Sequence, residues 1–414
     1  MKNFLVHNDN VKKEMLSNIG LNSIEDLFSQ IPQEARMAKL DLPEALSEME
    51  AQRTIKKLAS KNKTDYISFL GGGVYNKFIP ACIGQIAQRF EFLTAYTPYQ
   101  AEISQGTLQV MYEFQTMISR LTGMDISNAT VYDGGTACAE AILMAKRISK
   151  KTKALVTENL NPEYKKVIDT YAWANNIEIE YFAELPENTS DYACVLIQTP
   201  DYYGEIIDVK PVETLLIICT DISTLSILKP PSEYGADIVV GDIQTLGIPQ
   251  NFGGPHAGFI ACREKHMRQL PGRLAGRTVD KDGNQAFCLT IQTREQHIKR
   301  EKATSNICSN QALIGLCATV YLSVLGENGF KQAGYLSAKQ AHKLSEKLLS
   351  KGIRTLNKNF FNEFVIEVTN SDKTLDKLKS TGISGGIKLD DKRILVAATE
   401  MISDEDIDLY VKSI

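Results

Sequence analysis

Apolar residues follow three different patterns along this chain. From 1 to 64 they are sparse and spaced for amphipathic helices. Val11 to Ile19 reads as one helix, with Gly20 as its stop, because glycine takes the left-handed conformation a C-terminal cap requires. Ser23 and Asp26 have the spacing of a capping box. Pro43 is expected to open a second helix, its apolar stripe running through Leu46, Met49, Ile55 and Leu58. Such an arm has little apolar bulk of its own and is expected to pack on another surface.

From 65 to 305 the pattern changes. Short β-rich runs fall at Ala129–Tyr132, Ala154–Val156, Ile177–Phe182, Ala193–Ile197, Leu215–Cys219, Asp237–Val240 and Gly258–Ala261. Helical spacing separates some of them, at Gly106–Leu121, Thr136–Ile148 and Pro162–Asn175. Continuously apolar strands alternating with helices predict an α/β domain with a mainly parallel sheet covered on both faces. From 306 to 414 a smaller α+β domain is expected. Helical stretches to Leu325 and to Leu349 flank Gly326 and Gly329. Strands follow at Glu363–Val368 and Ile394–Ala397, with helices at Leu375–Lys379 and from Asp404. Nothing in this last domain looks catalytic.

Composition narrows the function. The 414 residues carry 46 Lys and Arg against 50 Asp and Glu, a net charge of −4. That balance argues against a nucleic-acid binder or a binder of anionic membranes, both of which need a basic surplus. Apolar runs such as Thr214–Cys219 are too short to cross a bilayer. Met1–Asn10 carries Lys2, His7 and Asp9 with no apolar core, so no secretory leader is expected. The eight cysteines form no C-x-x-C pair, and several sit in apolar runs, as buried free thiols of a cytoplasmic protein would. The five histidines show no H-x-x-x-H spacing, so no metal site is expected.

Several segments could carry chemistry. Gly71-Gly72-Gly73 permits close backbone approach, or is simply a turn. Asp133-Gly134-Gly135-Thr136 follows a strand and opens a helix, where backbone N–H groups and the Thr136 hydroxyl suit a phosphate; the plainer reading is an N-cap. Asp221 ends the most apolar strand, the position at which an aspartate pairs with the ring nitrogen in pyridoxal phosphate (PLP) enzymes. In such an enzyme a lysine belongs near Gly241-Asp242-Ile243-Gln244-Thr245, yet none lies between Lys229 and Lys265. Covalent PLP catalysis needs that amine. The stretch from Glu91 to Glu102 gathers Tyr96, Tyr99, Gln100 and Glu102 around Pro98, a set able to clamp a small polar ligand or to pack internally. Arg294 to Arg300 has the mixed charge of a solvated helix face.

Together the segments Thr94–Gln100, Glu102–Gly106, Asp133–Ala137, Gly235–Asp242, Phe252–His256, Arg294–His297 and Lys302–Gln311 resemble glycine decarboxylase, the P-protein of the glycine cleavage system, in the first subunit of its bacterial two-subunit form. The resemblance spans nearly the whole chain. It implies the aspartate-aminotransferase-like fold type I of PLP enzymes, and a homologous second subunit that carries both lysine and PLP. It implies decarboxylation of glycine there, with the aminomethyl group passing to the lipoyl arm of H-protein. Within this chain it implies a degenerate cofactor pocket at Gly134, Gly135, Thr136, Asp221 and Gln244, with Gln244 at the lysine position and no covalently bound PLP. Tyr96, Tyr99, Gln100 and Glu102 would be contributed to a shared site, in a heterotetramer of two plus two chains. The alternative is a non-catalytic scaffold or regulatory subunit. Two segments are shorter than the family pattern, between Phe182 and Asp221 and between Ile383 and Ile394, the first leaving no room for the usual helices.

Overall fold

The computed structural model describes residues 6–37 and 41–414; the first five residues, read above for a leader, lie outside it. The chain divides into two compact units, 1–64 and 65–414. In the first, a helix spans Asp9–Asn18, capped by the Asn8 side chain, which accepts from the N–H groups of Asn10 and Val11. Gly20 has φ +74°, as its stop role requires. The Ser23–Asp26 box is formed, on a 3-10 turn at Ile24–Phe28. The second helix begins later than Pro43 predicts and spans Glu48–Ala59. Ser47 and Glu50 form a reciprocal capping box there, which satisfies two end groups that a proline start would leave free. Neither helix buries a residue.

The second unit is built on a seven-stranded sheet. Across it the strands run in the order Ile126–Ser127, Gly258–Cys262, Ile238–Asp242, Leu215–Cys219, Cys194–Gln198, Lys153–Thr157 and Glu178–Phe182. All are parallel except Gly258–Cys262, which is antiparallel to both neighbours. Side chains alternate between faces with period two. Val156, Leu196, Ile217, Ile238 and Val240 share one core with Cys138 and Ile142 of the helix Gly134–Ser149 and Ile168 of the helix Pro162–Ala174. Leu155, Val195, Leu216, Ile218 and Val239 face Phe114 and Ile118 of the helix Gln105–Thr122 on the other side.

One expectation shifts, one element was not foreseen, and the missing helices after Phe182 are as expected. The run Ala129–Tyr132 is not a continuous strand; pairing is at Ile126–Ser127, with a lone bridge from Val131 to Gly258. Thr130 has φ +83° and breaks the ladder. A hairpin pairs Leu274–Val279 with Gln285–Thr290, turning at Gly283 with φ +85°; the apolar pattern had not signalled it. The segment between Phe182 and Leu215 has no helix beside its one strand. Buried Val209, with Leu185, Ile207 and Val212, covers the sheet there instead.

Beyond the main sheet, a four-stranded antiparallel sheet orders Arg354–Thr355, Glu363–Glu367, Arg393–Ala397 and Ile387–Lys388. The helix Ala312–Ser350 serves both cores. Ala318 and Tyr321 pack with the large sheet, while Ala341, Leu344 and Leu348 pack with the small one. The expected interruption is present, since Gly326 sits at φ +59° and ψ −173°. By length and a mean hydropathy of 1.3 this helix could cross a membrane, but its kink and its buried Leu316, Tyr321 and Phe330 make it a core helix.

Candidate functional site

The C-terminal ends of the parallel strands deliver Asn161, Gln198, Asp201, Thr220, Asp221, Asp242 and Gln244 to one cavity. That is where open α/β sheets form ligand crevices. Tyr75 and Gly73 close it from the glycine loop, and Phe361, Asn362 and Glu363 from the small sheet. The cavity volume is about 50 Å³.

The walls are held by their own hydrogen bonds. Gln244 is fully buried: its Oε1 accepts from Tyr75 N at 2.9 Å, and its Nε2 donates to the carbonyls of Tyr75 at 3.0 Å and Ile248 at 2.8 Å. Its amide therefore pins the Tyr75 backbone to the turn after the strand Ile238–Asp242. At the start of the helix Gly134–Ser149, Gly134 N donates to Asp242 Oδ2 at 3.1 Å, and Thr136 N donates to Asp133 Oδ1 at 2.7 Å. An internal carboxylate thus takes an N–H that a phosphate would use. Gly134 must be glycine, because an added Cβ would lie 2.3 Å from the Tyr164 hydroxyl oxygen. Asp221 accepts from Ser223 N at 2.9 Å, from the Ser223 hydroxyl at 3.0 Å and from the Thr245 hydroxyl at 2.8 Å.

Glu363 is buried, accepting from Gly72 N at 2.6 Å and from the Tyr75 hydroxyl at 2.9 Å. Gly71 makes this approach possible, for a Cβ there would collide with the Glu363 carboxylate at 2.0 Å. Among the described residues, no lysine or arginine lines the cavity. Burial pushes the carboxyls of Asp242 and Glu363 up to about 7, and that of Asp201 up to about 6. Burial and the Glu363 carboxylate also raise the Tyr75 phenol. Deprived of a counter-cation, buried acids hold their protons. This pocket does not fit PLP. It lacks the amine, an aspartate holds the phosphate-facing N–H, and its lining offers no described cation to meet a phosphate.

The sequence candidates separate into two places. Asp221 and Gln244 line the cavity, while Gly134, Gly135 and Thr136 lie in the buried first turn of the helix, joined to it through the Gly134 N–H bond to Asp242. Tyr96, Tyr99, Gln100 and Glu102 do not reach it; all four are exposed in the segment before the helix Gln105–Thr122. Tyr99 instead joins Arg273, Glu295 and His297. The expected solvated face from Arg294 to Arg300 is present at His297–Arg300, which are exposed, but fails at its first residue. Arg294 is buried and donates to the carbonyls of Ile291 at 3.1 Å and Gly272 at 2.9 Å. The small domain contributes Asn362 and Glu363 to the cavity, contrary to its inert look in sequence. The available signal was a carboxylate inside the apolar run from Phe360 to Ile366. Among the described residues, no group of three or more metal-binding side chains converges.

A doubly covered parallel sheet with a crevice at its strand ends and a small C-terminal sheet is the architecture of fold type I PLP enzymes. A glutamate decarboxylase from Lactobacillus brevis superposes with a TM-score of 0.66 over 94% of this chain and 97% of its own, at 12% identity. A closer likeness is the crystal structure of a glycine decarboxylase P-protein of the glycine cleavage system in inhibitor-bound form, with a TM-score of 0.93, 39% identity and 99% coverage of each chain. The family profile of the glycine cleavage system P-protein matches residues 2–414. Among curated relatives, a probable glycine dehydrogenase (decarboxylating) subunit 1 from Carboxydothermus hydrogenoformans is 45% identical over 98% of both chains. A protein of the same name from Listeria monocytogenes is 44% identical over 97% of this chain and 96% of its own. The chain belongs to the glycine cleavage system P-protein family.

Proposed function

We propose that this chain is the cofactor-free subunit of a glycine decarboxylase, active with a homologous second subunit that holds PLP. Bound PLP supplies the electron sink for breaking the glycine carboxylate bond. This chain contributes Tyr96, Tyr99, Gln100 and Glu102 to the shared site, where they orient glycine or the lipoyl arm of H-protein. The observation that carries this reading is Gln244, locked by three hydrogen bonds where the reactive lysine of a self-sufficient enzyme would stand.

A partner is supported by the surface before the helix Gln105–Thr122. Phe90 is 76% exposed, Leu93 54%, Tyr96 86% and Ile103 81%. So much apolar area in fourteen residues is typical of an interface. A cytoplasmic setting agrees with eight free cysteines. The test is co-expression with the second subunit, followed by a glycine–bicarbonate exchange assay with H-protein. The isolated chain is expected to be inactive and the co-purified complex active. Exchange by the isolated chain would overturn the proposal.

A further inference from the structure

Arg273 is 3% exposed and carries a charge whose burial is costly unless its donors are used. Its terminal nitrogens reach one loop and one side chain. Nη1 donates to Asn310 Oδ1 at 3.1 Å and to the Ser309 hydroxyl at 3.4 Å. Nη2 donates to the Cys308 carbonyl at 3.2 Å and to the Tyr99 hydroxyl oxygen at 2.8 Å. The guanidinium carbon also lies 4.9 Å from the centre of the Tyr99 ring. On the ring's flank, His297 lies 5.0 Å away between ring centres. Glu295 Oε2 stands 3.6 Å from Arg273 Nε and 3.8 Å from His297 Nδ1. Among the described residues, Glu295 Oε1 and Arg273 Nε have no hydrogen-bond partner.

A guanidinium donates only. The Tyr99 oxygen therefore accepts from it, and the phenolic proton must point elsewhere. Tyr99 is 43% exposed, so that proton is available to an acceptor arriving from outside the chain. The sequence reading had singled out Tyr99 but not Arg273, which stands at a loop end with no motif of its own. The same arginine fastens the Cys308–Asn310 loop, and Asn310 in turn donates to the Ala129 carbonyl at 2.9 Å.

We propose that Arg273 is a positioning residue for the shared site: it fixes the Tyr99 ring and hydroxyl so that Tyr99 donates a hydrogen bond to an acceptor on glycine or on the lipoyl arm, with Glu295 and His297 bracing the pair. This rests on the reading that Tyr99 serves a site shared with the partner subunit. The two acceptors, a carboxylate and a sulfur, are separated by the kinetics.

The test is glycine–bicarbonate exchange by the co-purified complex carrying Arg273→Gln, Tyr99→Phe or both. Arg273→Gln is expected to lower kcat by about tenfold or more, within the range that follows from misplacing an oriented group. Arg273→Lys should recover part of that loss, because a cation remains while the fork is gone. In the Tyr99→Phe background Arg273→Gln should have little further effect. A raised KM for glycine alone assigns the acceptor to glycine, and a raised KM for H-protein alone assigns it to the lipoyl arm. Equal losses from Arg273→Gln with and without Tyr99 would overturn the positioning role while leaving the shared-site reading intact. Full activity of Tyr99→Phe would overturn that reading itself. If Arg273→Gln fails to fold, the comparison of Arg273→Lys in the two backgrounds decides, by the same criterion.

Discussion

Two polar clusters in this chain are built on opposite principles. The cavity at the strand ends is turned inward: Gln244, Asp242, Asp221 and Glu363 each find their partners within the chain. The cluster at Tyr99 is turned outward. Its arginine is buried, its tyrosine is half in solvent, and two of its buried polar atoms have no partner among the described residues. Among the described residues the cavity leaves one lining donor unpaired, Asn362 Nδ2, whereas the Tyr99 cluster leaves a charged donor and a charged acceptor, Arg273 Nε and Glu295 Oε1, the more costly groups to bury without a partner. This difference supports the proposal that the chemistry of this subunit lies away from the crevice that its fold would advertise.

The strongest attempt to break the contrast is to restore the lysine. Gln244→Lys leaves Tyr75 N without an acceptor and places a second donor among the carbonyls. It should cost about 2–4 kcal/mol in denaturant unfolding. It should also fail to bind PLP, because Asp242 still holds Gly134 N. A stable variant that turns yellow with PLP would show that the glutamine alone had closed the site.

Next in size is Tyr96→Phe combined with Tyr99→Phe. Loss of both hydroxyls should reduce exchange by the complex about 100-fold, the lower range for a group that helps move or hold a proton. Unchanged activity would make this chain a scaffold.

A pH series sharpens the inward half of the comparison. The folded-state value for Glu363 is raised to about 7 from an ordinary 4.5. Below about 4.5 the group is protonated in both states and has no effect. From there to about 7 only the unfolded chain loses the proton, so stability falls as pH rises, and above 7 the loss is complete. Glu363→Gln mimics the protonated form, its amide donating to Tyr75 while its carbonyl accepts from Gly72. It should match the parent near pH 4 and exceed it at pH 8 by on the order of 3 kcal/mol. Equal unfolding midpoints at both pH values would mean that Glu363 has a counter-charge. The smallest effect on the isolated chain is expected from Leu93→Ser with Ile103→Ser. Unfolding should move by no more than ~0.5 kcal/mol, while pull-down of the second subunit should weaken. Undiminished association would remove this surface from the interface.

The sheet was legible because buried parallel strands such as Leu215–Cys219 are apolar without interruption, and Gly134–Ser149 carries its start signal at Asp133. The gap at Gln244 was legible because an absent amine needs only the sequence and the strand order. What could not be read were meetings across the fold. Glu363 reaches Gly72 over 291 residues and Arg273 reaches Tyr99 over 174; no local spacing encodes either. Arg294 alone departs from its solvated neighbours His297–Arg300, because its guanidinium caps backbone carbonyls inside the loop.

Most directly, the complex and the isolated chain can each be treated with PLP and borohydride, and the reduced lysine mapped by peptide mass. The account predicts the label on a lysine of the second subunit and none on this chain, alone or in the complex. A pyridoxyl group on any lysine of this chain, at a stoichiometry near one, would contradict it.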